Sequence, residues 1–217
     1  MARIPSSIQA VAPDVALEAL IEVRDHCSPT FLTGLTTGPD LGAFAHYAPE
    51  AAGRQLVALI KVTSLPHSRV LVAISGKSIL AYLTFHLPEA DCRWAALPAG
   101  QVLELGGIEV ARGGRGHGLA NRLMTQAFAS SDFHAKIIYA QALTWCWDLK
   151  GTRMSKADYR QMILRLFRAY GFEPYATDES NIRHDRSNLL LVRVGPDVPA
   201  ALLHEFRATL IQKREEW

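Results

Sequence analysis

From residue 69 to 86 the chain reads RVLVAISGKSILAYLTFH. Two apolar, β-branched runs flank Ser75-Gly76-Lys77-Ser78, the pattern of a β-hairpin. QVLELGGIEVA predicts a third strand, AKIIYAQALTW a fourth and NLLLVRVG the last. Between them the apolar period lengthens to that of a helix. GLANRLMTQAFASSD puts Leu119, Leu123, Met124, Ala127 and Phe128 on one face. SKADYRQMILRLFRAYG predicts a helix with Ser155 as N-cap and Gly171 as stop. APEAAGRQLVALIKVTSLP predicts another helix, and VPAALLHEFRATLIQKREEW a C-terminal one. Nearer the start, a helix is expected around Asp14 to Asp25 with Asp14 as its cap, and FLTGLTTGPDLGAF reads as irregular loop. No internal repeat appears. This order predicts an α/β fold with a mixed antiparallel and parallel central sheet flanked by helices. Residues 1–50 are expected to form a helical and loop extension packed on a domain spanning 51–217.

Composition narrows the function classes. The chain has 217 residues, 49% hydrophobic and 20% charged, with a formal net charge of +2. That balance is ordinary for a globular protein and supplies no basic stripe for nucleic acid. No apolar run approaches the ~20 residues that span a bilayer, and MARIPSSIQAVAPDVAL has no long apolar signal region. The three cysteines, Cys27, Cys92 and Cys146, make no C-x-x-C pair and no zinc-type spacing. Reduced thiols in a cytoplasm, and no metal, are the expectation.

The stretch GGIEVARGGRGHGLANRLM holds six glycines and leads into an apolar helix. Within it, Arg115, Gly116, His117, Gly118, Leu119 and Ala120 sit between a strand and a helix. Small residues let successive backbone N–H groups converge, and the helix start adds its unpaired N–H groups and positive dipole end. Together these suit a diphosphate, with Arg115 able to add a charged contact. A dinucleotide fingerprint fails because Leu119 stands at the third glycine place, and the Gly-Lys-Ser/Thr ending of a P-loop is missing. A glycine-rich turn without ligand is the alternative.

The run RGHGLA, an R-x-x-G-x-A pattern before an apolar helix, together with the later LFRAYGFEP, resembles the acetyl-CoA-binding core of the GCN5-related N-acetyltransferases (GNAT). The likeness extends over about residues 55–195 by element order. SRVLVAISGKSILAYLTF, LELGGIEVARGGRGHGLANRLM, WCWDLKG and YATDES are similar to the bacterial acetoin-utilisation protein acetyltransferases. That resemblance implies a GNAT fold, acetyl-CoA as acyl donor and a protein lysine as acceptor, with acetyl-CoA synthetase as the regulated target. Transfer to a small amine, or coenzyme sensing without turnover, are the alternatives. A homodimer is left open.

The same resemblance implies roles for single residues. Glu104 takes the place of the general base and removes the amine proton. Glu109 competes for that role. Alternation puts the two on opposite faces unless Gly106-Gly107 makes a bulge. Backbone groups of Ile108 and Val110 pair with the pantetheine arm. Phe167 stands where many relatives carry a tyrosine acid, with Tyr159 and Tyr170 nearby. Trp145, Trp147 and Asp148 either line an acceptor channel or serve as core and turn cap. Cys146 reads as a small buried hydrophobe. RHDRSN, residues 183–188, reads as a solvated loop or a surface for a protein partner.

Overall fold

The protein is described from a computed structural model, which covers residues 20–42 and 53–211. Its strands are β1 (Ile21–Arg24), β2 (Thr36–Thr37), β3 (Arg69–Ser75), β4 (Ser78–His86), β5 (Val102–Val110), β6 (Ile137–Ala142), β7 (Glu173–Tyr175) and β8 (Leu189–Val194). The helices are α1 (Pro29–Thr33), α2 (Arg54–Thr63), α3 (Leu119–Phe128), α4 (Leu149–Thr152), α5 (Lys156–Arg168), α6 (Ser180–Arg183) and α7 (Ala200–Leu210). The strands form one mixed sheet in the order β1-β3-β4-β5-β6-β8-β7, and β2 pairs in parallel with the start of β4. The hairpin closes at Ser75 opposite Ser78, with Gly76 at φ 58°.

Residues 21–24 are a strand and not the end of a helix. Ile21 and Val23 alternate with Glu22 and Arg24, and the run pairs antiparallel with β3. Local alternation and an open sheet edge decide the conformation there. The rest of the expected helix lies outside the described residues. The expected loop after it contains most of α1, capped by the Ser28 side chain, and β2.

Three apolar clusters cover the sheet. On one face, Leu119, Leu123, Met124 and Ala127 of α3 and Leu164 and Phe167 of α5 pack on Leu71, Leu83, Leu103 and Leu105. On the other face, Leu32 and Leu59 from α1 and α2 cover Val70, Val72 and Tyr82. Further along that face, Leu202, Phe206 and Leu210 of α7 cover Trp94, Val102, Tyr139 and Val192. The face is therefore capped at both ends by helices, with the middle of β5 between them.

Two irregularities in β5 shape that middle. The β4–β5 register pairs Phe85 with Leu105 but Thr84 with Gly107, so Gly106 is an extra residue in a bulge. A Cβ on Gly106 would run into the His86 imidazole, whose Nδ1 is tied to Leu87 O at 2.7 Å. Second, β5 pairs with β6 only through Val102, Leu103 and Glu104. Beyond Glu104 the two strands part, β5 staying with β4 and β6 with β8.

We expect Gly106→Ala to destabilise the fold by about 1–3 kcal/mol through overpacking. The shift is read from the denaturant midpoint at constant slope; an unchanged midpoint would show that the ring and the bulge do not need that space.

Candidate active site

The gap between β5 and β6 is lined by backbone. Ala111 donates its N–H to Leu80 O at 2.8 Å. Facing pairs alternate along an antiparallel ladder, so Glu109 and Gly107 bond toward β4. The N–H and C=O groups of Ile108 and Val110 therefore point away from β4 into the gap. Among the described residues, Val110 O alone of these groups meets a side chain, Arg115 Nε at 3.4 Å. The apolar side chains of Ile108 and Val110 pack on the cluster beneath α3.

The glycine run sits at the wide end of this gap. Gly116 and Gly118 hold φ of 87° and 64°, and a Cβ at either would meet nothing within 4 Å. Gly118 is the N-cap of α3 and offers no side chain to it. Among the described residues no acceptor takes the N–H of Gly116, Gly118, Leu119 or Ala120; the first helical donor is Arg122, to Gly118 O at 3.0 Å. These amides, with the dipole of a ten-residue helix behind them, suit a diphosphate. His117 is half-buried and engaged within the protein.

Arg115 is directed elsewhere. Its Nη2 binds Asp148 Oδ2 at 2.8 Å, and its N–H bonds Arg112 O. Arg112 also reaches Asp148, at 3.2 Å through Nε and Nη2. Burial alone would raise the Asp148 carboxyl, but the hydrogen bonds from Arg112 and Arg115 hold it well below the usual carboxylate range. Asp148 also caps α4 by accepting from Gly151 N at 2.8 Å. It thus clamps the loop after β6 to the glycine run, a tertiary pairing that no local pattern announces.

At the narrow end stands Glu104, the last β5 residue paired with β6. It accepts a hydrogen bond from the Tyr139 hydroxyl at 2.8 Å and lies opposite His86 on β4. Burial raises its carboxyl above the ordinary value of 4.5, against the opposing pull of Tyr139 and His86. The carboxyl faces a cavity of about 450 Å³, also lined by Glu89, Asp91, Cys92, Gln141, Glu179 and Arg93, whose guanidinium is paired with Asp178. Gln141 Oε1 in that wall is buried and has no donor among the described residues.

The bulge at Gly106 places Glu109 on the same face as Glu104, since they pair with Tyr82 and His86, two residues of equal parity on β4. Their surroundings differ. Glu109 accepts from Gly42 N at 2.6 Å and is hydrogen-bonded to Tyr82, which ties the loop after β2 to the sheet. Burial raises its carboxyl too.

The remaining aromatic and thiol groups make contacts within the protein. Phe167 is 4% exposed and packs edge-on to Phe172. The Tyr170 hydroxyl donates to Asn121 O at 2.9 Å, and Tyr159 stacks on Trp147 at 5.1 Å. Trp145 meets His184 edge-on. Burial pushes the Cys146 thiol up to about 11, which keeps it protonated. Among the described residues no group of three His, Cys, Asp or Glu is placed to hold a metal ion, and no helix is long and apolar enough to cross a membrane.

Comparison with known proteins gives the family. The Acetyltransferase (GNAT) family profile matches residues 39–145. The chain is 31% identical over 179 residues to the acetoin utilization protein AcuA of Bacillus subtilis, covering 82% of this chain and 83% of that protein. The crystal structure of an acetoin utilization protein from Exiguobacterium sibiricum superposes with a TM-score of 0.82 at 27% identity, over 89% of this chain and 90% of the other. A Salmonella typhimurium acetyltransferase fold solved with its cofactor acetyl-CoA superposes with a TM-score of 0.51 at 14% identity, over 83% and 96% of the two chains. The chain belongs to the acetoin utilization proteins of the GNAT family and is an acetyl-CoA-dependent N-acetyltransferase.

Gly118→Glu should weaken coenzyme A binding by about 100-fold, because a like charge then occupies the cradle. Gly118→Ala is the control for backbone strain at positive φ, which costs roughly 1–2 kcal/mol. Calorimetric titration with coenzyme A checks both. Equal affinities for the wild type and Gly118→Glu would move the diphosphate elsewhere.

Proposed function

We propose that this enzyme transfers the acetyl group to a lysine side chain of a protein in the cytoplasm, with acetyl-CoA synthetase as the regulated acceptor, by direct attack with Glu104 as general base. One observation carries this reading: Glu104 stands where β5 and β6 begin to part and faces an acidic cavity. From Val110 to Glu104 the strand spans roughly 20 Å. A long arm held at the glycine run by its diphosphate, and along the gap by Ile108 and Val110, would bring its thioester to the narrow end. The acetyl donor supplies an activated carbonyl there.

The chain's own groups do the rest. Glu89, Asp91 and Glu179 draw an ammonium into the cavity, and the apolar stem of a lysine follows. A lysine ammonium, with pKa near ~10.4, has no lone pair until it loses a proton. The Glu104 carboxylate, raised by burial, takes that proton directly or through water. The Tyr139 hydroxyl donates to Oε2, and Gln141 lends the carboxylate a second hydrogen bond. With Phe167 in the core, no side chain there returns a proton to the leaving thiolate, which leaves as such or takes one from water. Holding both reactants in line adds the larger part of the rate.

A base works only when deprotonated, so kcat/KM falls as pH drops through the raised Glu104 pKa. The limb therefore lies above the pH where an ordinary glutamate would place it. Glu104→Gln should abolish that limb and slow transfer by about 10²–10⁴-fold. The measurement is thiol release against pH, with mass spectrometry of acetyl-CoA synthetase for new acetyl-lysine. An unchanged rate and profile in Glu104→Gln would remove Glu104 from the mechanism, and thiol release without a modified lysine would remove the protein acceptor.

A further inference from the structure

A second cavity, of about 430 Å³, lies beside the first and has the opposite charge. Arg160 of α5, Arg183 of α6 and Arg186 of the following turn line it. None of the three makes a side-chain hydrogen bond or ion pair among the described residues, and Arg160 Nε is buried without an acceptor. A buried guanidinium N–H left unpaired is costly unless something fills the place.

The one carboxylate in the lining cannot neutralise these arginines. Asp185 is already held by Lys156 Nζ at 2.6 Å, by Ser187 N at 2.8 Å and by Thr144 Oγ1 at 3.3 Å. The hydrogen bond from Lys156 keeps it ionised and occupied. The segment carrying Arg183 and Arg186 is also pinned. Asn188, buried, accepts from Thr144 N at 2.8 Å and donates to Asn181 O at 2.7 Å. The positive charge is thus mounted on a fixed wall, and the apolar sides of Tyr175 and Ile182 complete the cavity.

The two cavities meet across α6 and its N-cap. Glu179 and Asn181 face the cavity at Glu104, while Ile182 and Arg183 face the arginine cavity. A polypeptide that presents a lysine to the first places its neighbouring side chains over the second. We propose that the cavity of Arg160, Arg183 and Arg186 binds an acidic side chain of the protein that presents the acceptor lysine, an inference that rests on the lysine-acceptor reading above. The apolar walls take the short stem of a glutamate or aspartate, and the guanidinium groups take its carboxylate. An acidic residue near the lysine then becomes part of what the enzyme recognises.

Lysine-centred peptides carrying Glu at each flanking position in turn, against their Gln counterparts, test this with wild type and with Arg183→Glu/Arg186→Glu, two exposed sites. Wild type should favour one or more Glu peptides by about tenfold in kcat/KM, and the Glu/Gln ratio should collapse toward one in the double variant and in Arg160→Gln. No preference in wild type, or one that survives both variants, overturns the proposal. Direct binding of a lysine-free, Glu-rich peptide, with inorganic phosphate as control, separates the two readings. Binding lost in the variants while no lysine peptide is acetylated would keep the acidic site and sink the lysine acceptor. Acetylation with neither Glu preference nor binding would do the reverse. Phosphate binding without peptide binding would also overturn the proposal.

Discussion

A sheet that separates in its middle leaves backbone donors and acceptors without partners, and everything at this site follows from that. β5 and β6 share three facing residues and then diverge, so the groups of Ile108 and Val110 face a gap. Unpaired backbone groups in a sheet interior are costly. On the function proposed above, an extended ligand would complete the ladder as an added strand does. The bulge at Gly106 supports the separation, since an extra residue bends its strand and increases the local twist.

The same break sets the order of parts along β5. The wide end meets a helix whose first amides are uncovered, and the narrow end meets a carboxyl raised by burial. A donor anchored by its phosphates and reacting at its far tip fits that polarity. Asp148 holds the wide end in shape through Arg112 and Arg115, while Glu109 fixes the loop after β2. The carboxylates therefore divide between holding the scaffold, as Asp148 and Glu109 do, and lining a cavity, as Glu104 does.

Much of this was legible in the chain because it is local. The apolar spacing of Leu119, Leu123, Met124 and Ala127 predicts α3 and its buried face. Ser155 caps α5 by accepting from Asp158 N, and Gly171 ends it at φ 81°. The R-x-x-G-x-A run marked the family. What stayed hidden is tertiary. β1 is a four-residue edge strand whose pairing with β3 outweighs a helical start. The face shared by Glu104 and Glu109 depends on which of two glycines takes the bulge, which only the register with β4 decides. Arg115 carries the motif yet turns its side chain to Asp148, a partner supplied by the loop after β6. RHDRSN marks part of the basic cavity, but Arg160 and the wall of the acidic cavity come from residues far apart in sequence and show in no charge run.

The central claim is that one ligand spans the amides of Gly116 to Ala120 and the gap up to Glu104. Titrating ¹⁵N-labelled protein with coenzyme A and then acetyl-CoA tests it most directly. Large amide shifts are expected at Gly116, Gly118, Leu119 and Ala120 with either ligand, shifts at Ile108 and Val110 along the gap, and a further change near Glu104 when the acetyl group is present. Silent amides on β5 and at the start of α3, with shifts clustered elsewhere on the surface, would contradict it.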